Sequence, residues 1–246
     1  MKMILFCFEC ANCNKNFEFP CVNGDSYGEF LLIDDLGEIS YLNSFNDPIF
    51  QEVSKIFDFF VSKQDQDKGE FCRNLFSPVL SATCDLSSNH IPYQKRMPHC
   101  PTCHQSDFIE FGPIDPPKFV DLDIPNATHH VWNKLSDIEK KELIQTIITQ
   151  TKIETRQALI NEVKLFISAL STKKSLVSKL ELKMVHELDA YLIELEKPNN
   201  EDKIKAADKK FHDFYFNNME EINKDSENLM YRGRAKITSL SLKNGF

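Results

Sequence analysis

Glycine is scarce in this chain, with seven copies in 246 residues, and that scarcity excludes whole classes of chemistry. A loop that cradles phosphates needs several glycines at close spacing so that the backbone can approach the anion, and no such run is present. There is no G-x-S-x-G turn to present a nucleophilic serine, and His186-Glu187 lacks the second histidine of a helical zinc-protease motif. No stretch approaches the ~20 apolar residues that a bilayer-spanning helix requires. The apolar start, Met3-Ile4-Leu5-Phe6-Cys7-Phe8, is too short for an export signal and runs at once into Glu9 and Cys10, so the expected compartment is the reducing cytoplasm. Solenoid repeats and low-complexity tracts are also absent.

Charge is unevenly distributed. Residues 1–133 hold 9 Lys+Arg against 19 Asp+Glu, residues 134–196 balance at 10 against 10, and residues 197–246 hold 10 against 8. An acidic front half repels phosphate backbones, which makes nucleic acid the secondary expectation. That alternative would need Lys95, Arg96, Arg232, Arg234 and Lys236 to converge on one face.

What the chain does have is two identical cysteine spacings, Cys10-x-x-Cys13 and Cys100-x-x-Cys103. Two residues between cysteines let both sulfurs of one turn face a single ion, and two such turns supply four soft ligands. The residue after the second cysteine then favours the left-handed region; it is Asn14 in the first half and His104 in the second, both residue types that tolerate it. Cys7 also stands three before Cys10, but a strand position would turn it away from the ion. His99 and His104 could replace a thiolate, yet they adjoin cysteines that fit better. Cys21, Cys72 and Cys84 read as core thiols.

The segments Phe8-Glu9-Cys10-Ala11-Asn12-Cys13-Asn14-Lys15-Asn16-Phe17-Glu18-Phe19 and His99-Cys100-Pro101-Thr102-Cys103 resemble the opening and closing knuckles of zinc ribbons, also called rubredoxin-like knuckles. The resemblance covers about thirty residues and implies one structural Zn2+ on Cys10, Cys13, Cys100 and Cys103, with no position left for substrate. The departure is the separation. Simple ribbons space their halves by roughly twenty residues, whereas here residues 14–99 intervene, so a subdomain is expected within the ribbon (insertion 22–98).

That insertion contains two β-favouring runs, Glu29–Ile33 and Glu38–Leu42, around Asp34-Asp35-Leu36-Gly37, which predict a hairpin whose aspartates serve the turn. Asp47-Pro48 predicts a helix start, with Ile49, Phe50, Val53, Ile56, Phe57, Phe60 and Val61 at helical spacing. A shorter helix or irregular segment is expected over Phe71–Leu80, a loop over 85–99 and a short strand over Phe108–Phe111.

Gly112-Pro113 and Pro116-Pro117 then predict a linker over 112–131, with Trp132 anchoring a second, helical part. Asp121, Asp123, His129 and His130 in this stretch read as polar loop residues. Ser136-Asp137-Ile138-Glu139 has the form of a capping box, and apolar stripes follow through Leu170, from Val177 to Leu195, and from Ile204 to Leu229.

The resulting expectation is an α+β protein: a zinc-ribbon domain over 1–111 with its hairpin-helix insertion, a linker, and an antiparallel helical domain over 132–246. It is expected to be a non-enzymatic adaptor whose C-terminal helices meet another protein or a second copy. Usage rich in Lys, Ile, Asn and Phe suggests a bacterium or phage, and with it an accessory role in a multi-protein system. The alternative is a nucleic-acid-binding regulator.

Overall fold

Strand β1 (Lys2–Cys10) organises the first sheet because both of its edges are used. The computed structural model describes residues 1–22, 28–61, 69–95, 97–172, 179–197, 201–218, 236–238, 240 and 241. On one edge β1 pairs antiparallel with β2 (Asn16–Cys21), placing Phe8 opposite Phe17 and Phe6 opposite Phe19. On the other it pairs antiparallel with β5 (Phe108–Pro113) and, nearer its start, with β6 (Phe119–Asp121). The register slips between Glu9 and Cys10, where β1 enters the cysteine turn.

The second sheet is the hairpin β3 (Glu29–Ile33) and β4 (Ile39–Asn43), with Ile33 opposite Ile39. Its turn is built as the sequence indicates. The buried Asp34 carboxylate accepts the N–H groups of Leu36 (2.9 Å) and Glu38 (2.7 Å) through Oδ1, and Gly37 takes a φ of 87°. Both aspartate bonds are turn chemistry of the Asx type, not a carboxylate pair. At the far end of the hairpin, Gly28 sits at φ 80° and accepts from Ser44 N (2.9 Å). A Cβ there would lie 2.6 Å from both Ser44 Oγ and the Phe45 ring.

Helix α1 (Phe50–Phe60) follows. Asp47 Oδ1 accepts from Ile49 N (2.8 Å) and Phe50 N (3.0 Å), so the predicted cap satisfies the donors of the leading turn while the helix proper starts at Phe50. Helix α2 (Gly69–Ala82) extends two residues beyond the expected Phe71–Leu80 at each end and is helical throughout, with Pro78 inside it. Buried Val79 and Leu80 lie just beyond that proline, and their burial holds the helix across a residue that by itself would break it.

Two compact units emerge, and their boundaries differ from the expected ones. The first is Met1–Val61 with Phe76–Ile147; the second is Ser62–Leu75 with Ile148–Phe246. Residues 112–131 contribute β6, and Tyr41 N donates to Pro125 O (2.9 Å) while Ala127 N donates to Tyr41 O (2.7 Å). This stretch, expected as a linker, is therefore part of the first unit. Its prolines read as breakers in sequence, and they stay out of β6: Pro113 ends β5, while Pro116, Pro117 and Pro125 lie outside the strands.

Trp132 likewise anchors the first unit rather than the helical part. Its ring is buried, its Nε1 donates to Glu52 Oε2 (3.0 Å), and Lys140 Nζ donates to Glu52 Oε1 (2.8 Å). In the same unit Leu32, Leu42, Leu80, Cys84 and Tyr93 form one buried cluster.

The second unit is helical. Helix α3 (Asp137–Thr172) begins with the predicted capping box: Glu139 N donates to Ser136 Oγ (3.3 Å), and Ser136 N donates back to Glu139 Oε2 (2.8 Å). Residues from 148 onward belong to the second unit. With α4 (Lys179–Glu196) and α5 (Glu201–Asn217), this length of α3 buries Leu159, Val163, Phe166, Leu170, Met184, Leu188, Tyr191, Leu195, Ile204, Phe211 and Tyr215 in one core. Those positions recur at threes and fours along each helix, the stripe that packing between helices demands.

Helices α4 and α5 pack against each other, with Lys210 paired to Glu187 (3.0 Å). Helical residues 236–238, 240 and 241 add Ile237 to the core. Val177, Ile222 and Leu229 of the expected stripes lie outside the described residues.

Candidate metal centre

Two turns of the same construction bring the four predicted cysteines together. In the first, Asn14 N donates to Cys10 O (2.9 Å) and Cys10 N to Lys15 O (3.0 Å); in the second, His104 N donates to Cys100 O (2.9 Å) and Cys100 N to Gln105 O (2.8 Å). Asn14 and His104 adopt φ of 54° and 59°, the left-handed conformation anticipated at both positions. The turns are tied to each other by Ala11 N donating to Asp107 O (2.9 Å).

The four sulfurs lie within 4.8 Å of one another. Cys10 Sγ is 3.4 Å from Cys103 Sγ, and Cys13 Sγ is 3.6 Å from Cys100 Sγ. A tetrahedral ion with metal–sulfur bonds of about 2.3 Å separates its sulfurs by about 3.8 Å. The set therefore has the size and the soft donors for a metal ion such as zinc. Cys10 and Cys100 are buried, while Cys13 and Cys103 are half-buried.

The electrostatics agree with that donor set. Burial pushes the Cys100 thiol up, but the N–H groups of Cys103 and Thr102, with the sulfurs of Cys13 and Cys10, bring it down to about 6. Cys103 is lowered by the Gln105 N–H and the Asn12 side chain. For Cys13 the Lys15 N–H acts downward, yet burial and the neighbouring sulfurs outweigh it and push the thiol up to about 12. Thiols this close cannot all ionise against one another; a divalent cation among them removes that conflict.

The strands that deliver the turns are held by aromatic packing. Phe8 stacks on Phe17 (centroids 5.4 Å apart) and on Phe111 (5.6 Å), and meets Phe108 edge-on at 5.0 Å. The cross-strand register makes these contacts, since Phe8 lies opposite both Phe17 and Phe111. The sequence shows the phenylalanines but not which strands become neighbours.

Cys7, His99 and His104 are not in the cluster, and among the described residues no other group of His, Cys, Asp and Glu has metal-holding geometry. Of the expected core thiols, Cys84 is buried, whereas Cys21 and Cys72 are half-buried. Asp121 lies in β6 opposite Lys2. Glu187, beside His186, is paired with Lys210.

His129 and Asp85 do more than polar loop residues. His129 is buried between Thr83 O (Nδ1, 2.8 Å) and Asp47 Oδ2 (Nε2, 2.8 Å). Asp85 accepts from Thr128 Oγ1 (2.7 Å), His130 N (2.8 Å) and Val131 N (2.9 Å). Both fasten the 128–131 segment to the end of α2. Nothing in their spacing signals this, because the partners lie some 45 to 80 residues away.

Of the basic residues named for nucleic acid, Arg96, Arg232 and Arg234 lie outside the described residues. Lys95 sits in the first unit with its ammonium 4.1 Å over the Phe30 ring, and Lys236 sits in the second, 3.9 Å from Glu162. No helix among the described residues is long and apolar enough to cross a membrane.

No protein-family profile matches the chain, and neither does any curated protein or solved structure.

Proposed function

We propose that the protein is a zinc-stabilised interaction module, in which Cys10, Cys13, Cys100 and Cys103 hold one structural Zn2+ in a ribbon interrupted by the hairpin and α1–α2. The observation that carries this reading is the pair of matched turns with four sulfurs within 4.8 Å. Four thiolates saturate a tetrahedral ion, so the metal would have no open position for water or substrate and would act by holding strands together. In small metal-bound folds of this kind, much of the binding free energy is folding free energy.

The adaptor reading follows from what such a head leaves over. A rigid acidic unit and a helical unit with its own core suit a protein that joins partners, and no motif for catalysis accompanies them. We place it as an accessory subunit of a multi-protein bacterial or phage system, acting in the cytoplasm. Affinity capture of the full chain from its host, with identification of bound protein and nucleic acid, tests the role. Stable protein partners are expected, and recovery of nucleic acid alone would overturn the reading in favour of a regulator. Elemental analysis tests the metal: one zinc per chain is expected, and a folded chain without metal would overturn the ribbon.

A further inference from the structure

Strand β5 has β1 on one side and, among the described residues, no strand on the other. One bond fixes which way its backbone groups point. Ile114 N donates to Leu5 O (3.1 Å), so residue 114 faces β1. By alternation Gly112 and Glu110 also face β1, opposite Cys7 and Glu9, while Phe111 and Pro113 face outward. Pro113 therefore sets its missing N–H on the side where no partner needs it. Phe111 presents both an N–H and a carbonyl on the open edge, and it is 54% exposed, as Ile109 is at 60%.

The two faces of this edge differ in charge. Phe111 lies on the aromatic face, stacked on Phe8. Glu110 lies on the other face and is exposed, directly opposite Glu9. Glu18, opposite Cys7 on that face, is answered by Lys118 (3.4 Å). The carboxylates of Glu9 and Glu110 have no such partner among the described residues, and like charges set across a ladder repel.

A strand added along β5 would place one side chain beside Phe111 and the next beside Glu110. An apolar residue suits the first place, and a cation at the second relieves the conflict between Glu110 and Glu9. A second copy of this chain does the opposite. Pairing β5 with itself adds two more carboxylates to the same face, on a chain whose formal net charge is already −8.

We infer that the open edge of β5 docks an extended segment of another protein, in which apolar residues alternate with lysine or arginine. The backbone groups of Phe111 supply the ladder, and Glu110 with Glu9 selects the basic strand and rejects self-pairing. This edge would be one contact of the interaction module proposed above, and its biological role rests on that reading.

The probe is a capped peptide of three Lys-Val repeats, made as two isomers N-methylated either on the lysines or on the valines, so that charge and composition are identical. The full chain carrying its metal is titrated with each and followed by NMR at the Phe111 amide. In the docked register valine gives its N–H to Phe111 O. The lysine-methylated isomer is therefore expected to bind saturably and to slow exchange of the Phe111 amide by roughly tenfold, and the valine-methylated isomer to bind roughly tenfold more weakly. Glu110→Lys, which sets a cation opposite Glu9, should weaken the basic peptide by roughly three- to fivefold.

Equal affinity of the two isomers would overturn the proposal, as would absence of binding by both. So would Phe111 protection that grows with protein concentration without peptide, which assigns the edge to a second copy. Metal content and partner capture are measured on the same preparation. A zinc-bound chain that captures protein partners but ignores the peptide would overturn this edge alone.

Discussion

Asn14 and His104 occupy the same place in two copies of one turn, with φ of 54° and 59° and each N–H given to the carbonyl of the first cysteine of its pair at 2.9 Å. Neither residue is glycine, so each position stores some backbone strain that the surrounding turn sustains.

Substitution there should follow backbone preference rather than side-chain chemistry. Asn14→Gly and His104→Gly are expected to be neutral or slightly stabilising. Asn14→Val should cost about 1–2 kcal/mol, because a branched Cβ is poorly tolerated in the left-handed region. Chelator competition measures this: the valine variant should release metal at roughly tenfold lower chelator concentration. Equal resistance in the glycine and valine variants would contradict it.

The sole tryptophan gives a reporter confined to one unit. Trp132 is buried against Glu52 and Lys140 in the first unit, whereas the second unit's core is built from helices without tryptophan. Stripping the metal should therefore shift Trp132 emission to the red, while most of the helical circular dichroism persists. A chain that loses its metal and keeps a blue-shifted tryptophan would show that the first unit stands without the ion.

Asp85 should make stability depend on pH in the acid range. Burial pushes its carboxyl up, but the hydrogen bonds from Thr128, Val131 and His130 outweigh this and hold it well below the ordinary carboxylate range. A depressed folded-state pKa contributes stability that is present above about pH 4, the unfolded value, and is lost progressively as pH falls below it. Asp85→Asn should cost about 1–2 kcal/mol at neutral pH and flatten the acid limb of a urea-midpoint-against-pH curve. An unchanged acid limb would assign the dependence to other carboxylates.

In the helical unit, Ser241 Oγ donates to the buried Asp208 carboxylate at 2.6 Å, and His212 lies 3.4 Å from the same group. Removing that donor leaves a buried charge short of a partner. Ser241→Ala should destabilise by about 1.5–3 kcal/mol, read from urea unfolding followed at 222 nm. A change under 0.5 kcal/mol would mean that water replaces the hydroxyl.

What the sequence disclosed depended on how locally each feature is encoded. The knuckles, the hairpin with its Asp34 turn and the Ser136–Glu139 box are set by residues within six positions of each other, and all were legible. The gathering of Cys10, Cys13, Cys100 and Cys103 was legible for another reason: one tetrahedral ion would need four ligands, so chemistry reached across the gap. The places of Trp132 and His129 were not legible, because their partners Glu52 and Asp47 lie about 80 residues earlier and nothing local marks them. Pro113, Pro116 and Pro117 argued for a linker, and only the pairing of β6 with β1 shows that the chain returns to the sheet. Helix α2 runs two residues past the expected Phe71–Leu80 at each end, and buried Val79 and Leu80 accompany its passage through Pro78, which propensity alone disfavours.

The position of β1 at the centre of its sheet governs how the molecule is made. Its partners on one side are in hand by Cys21, but those on the other arrive only with residues 108–121. At ordinary translation rates, a ribosome needs roughly 5–20 s to supply those last strands. Throughout that interval the nascent chain carries Cys10, Cys13 and a phenylalanine-rich strand with one edge bare. An ion held by all four cysteines could be captured only after Cys100 and Cys103 have emerged, and that strand order would leave β1 half-paired until late in synthesis.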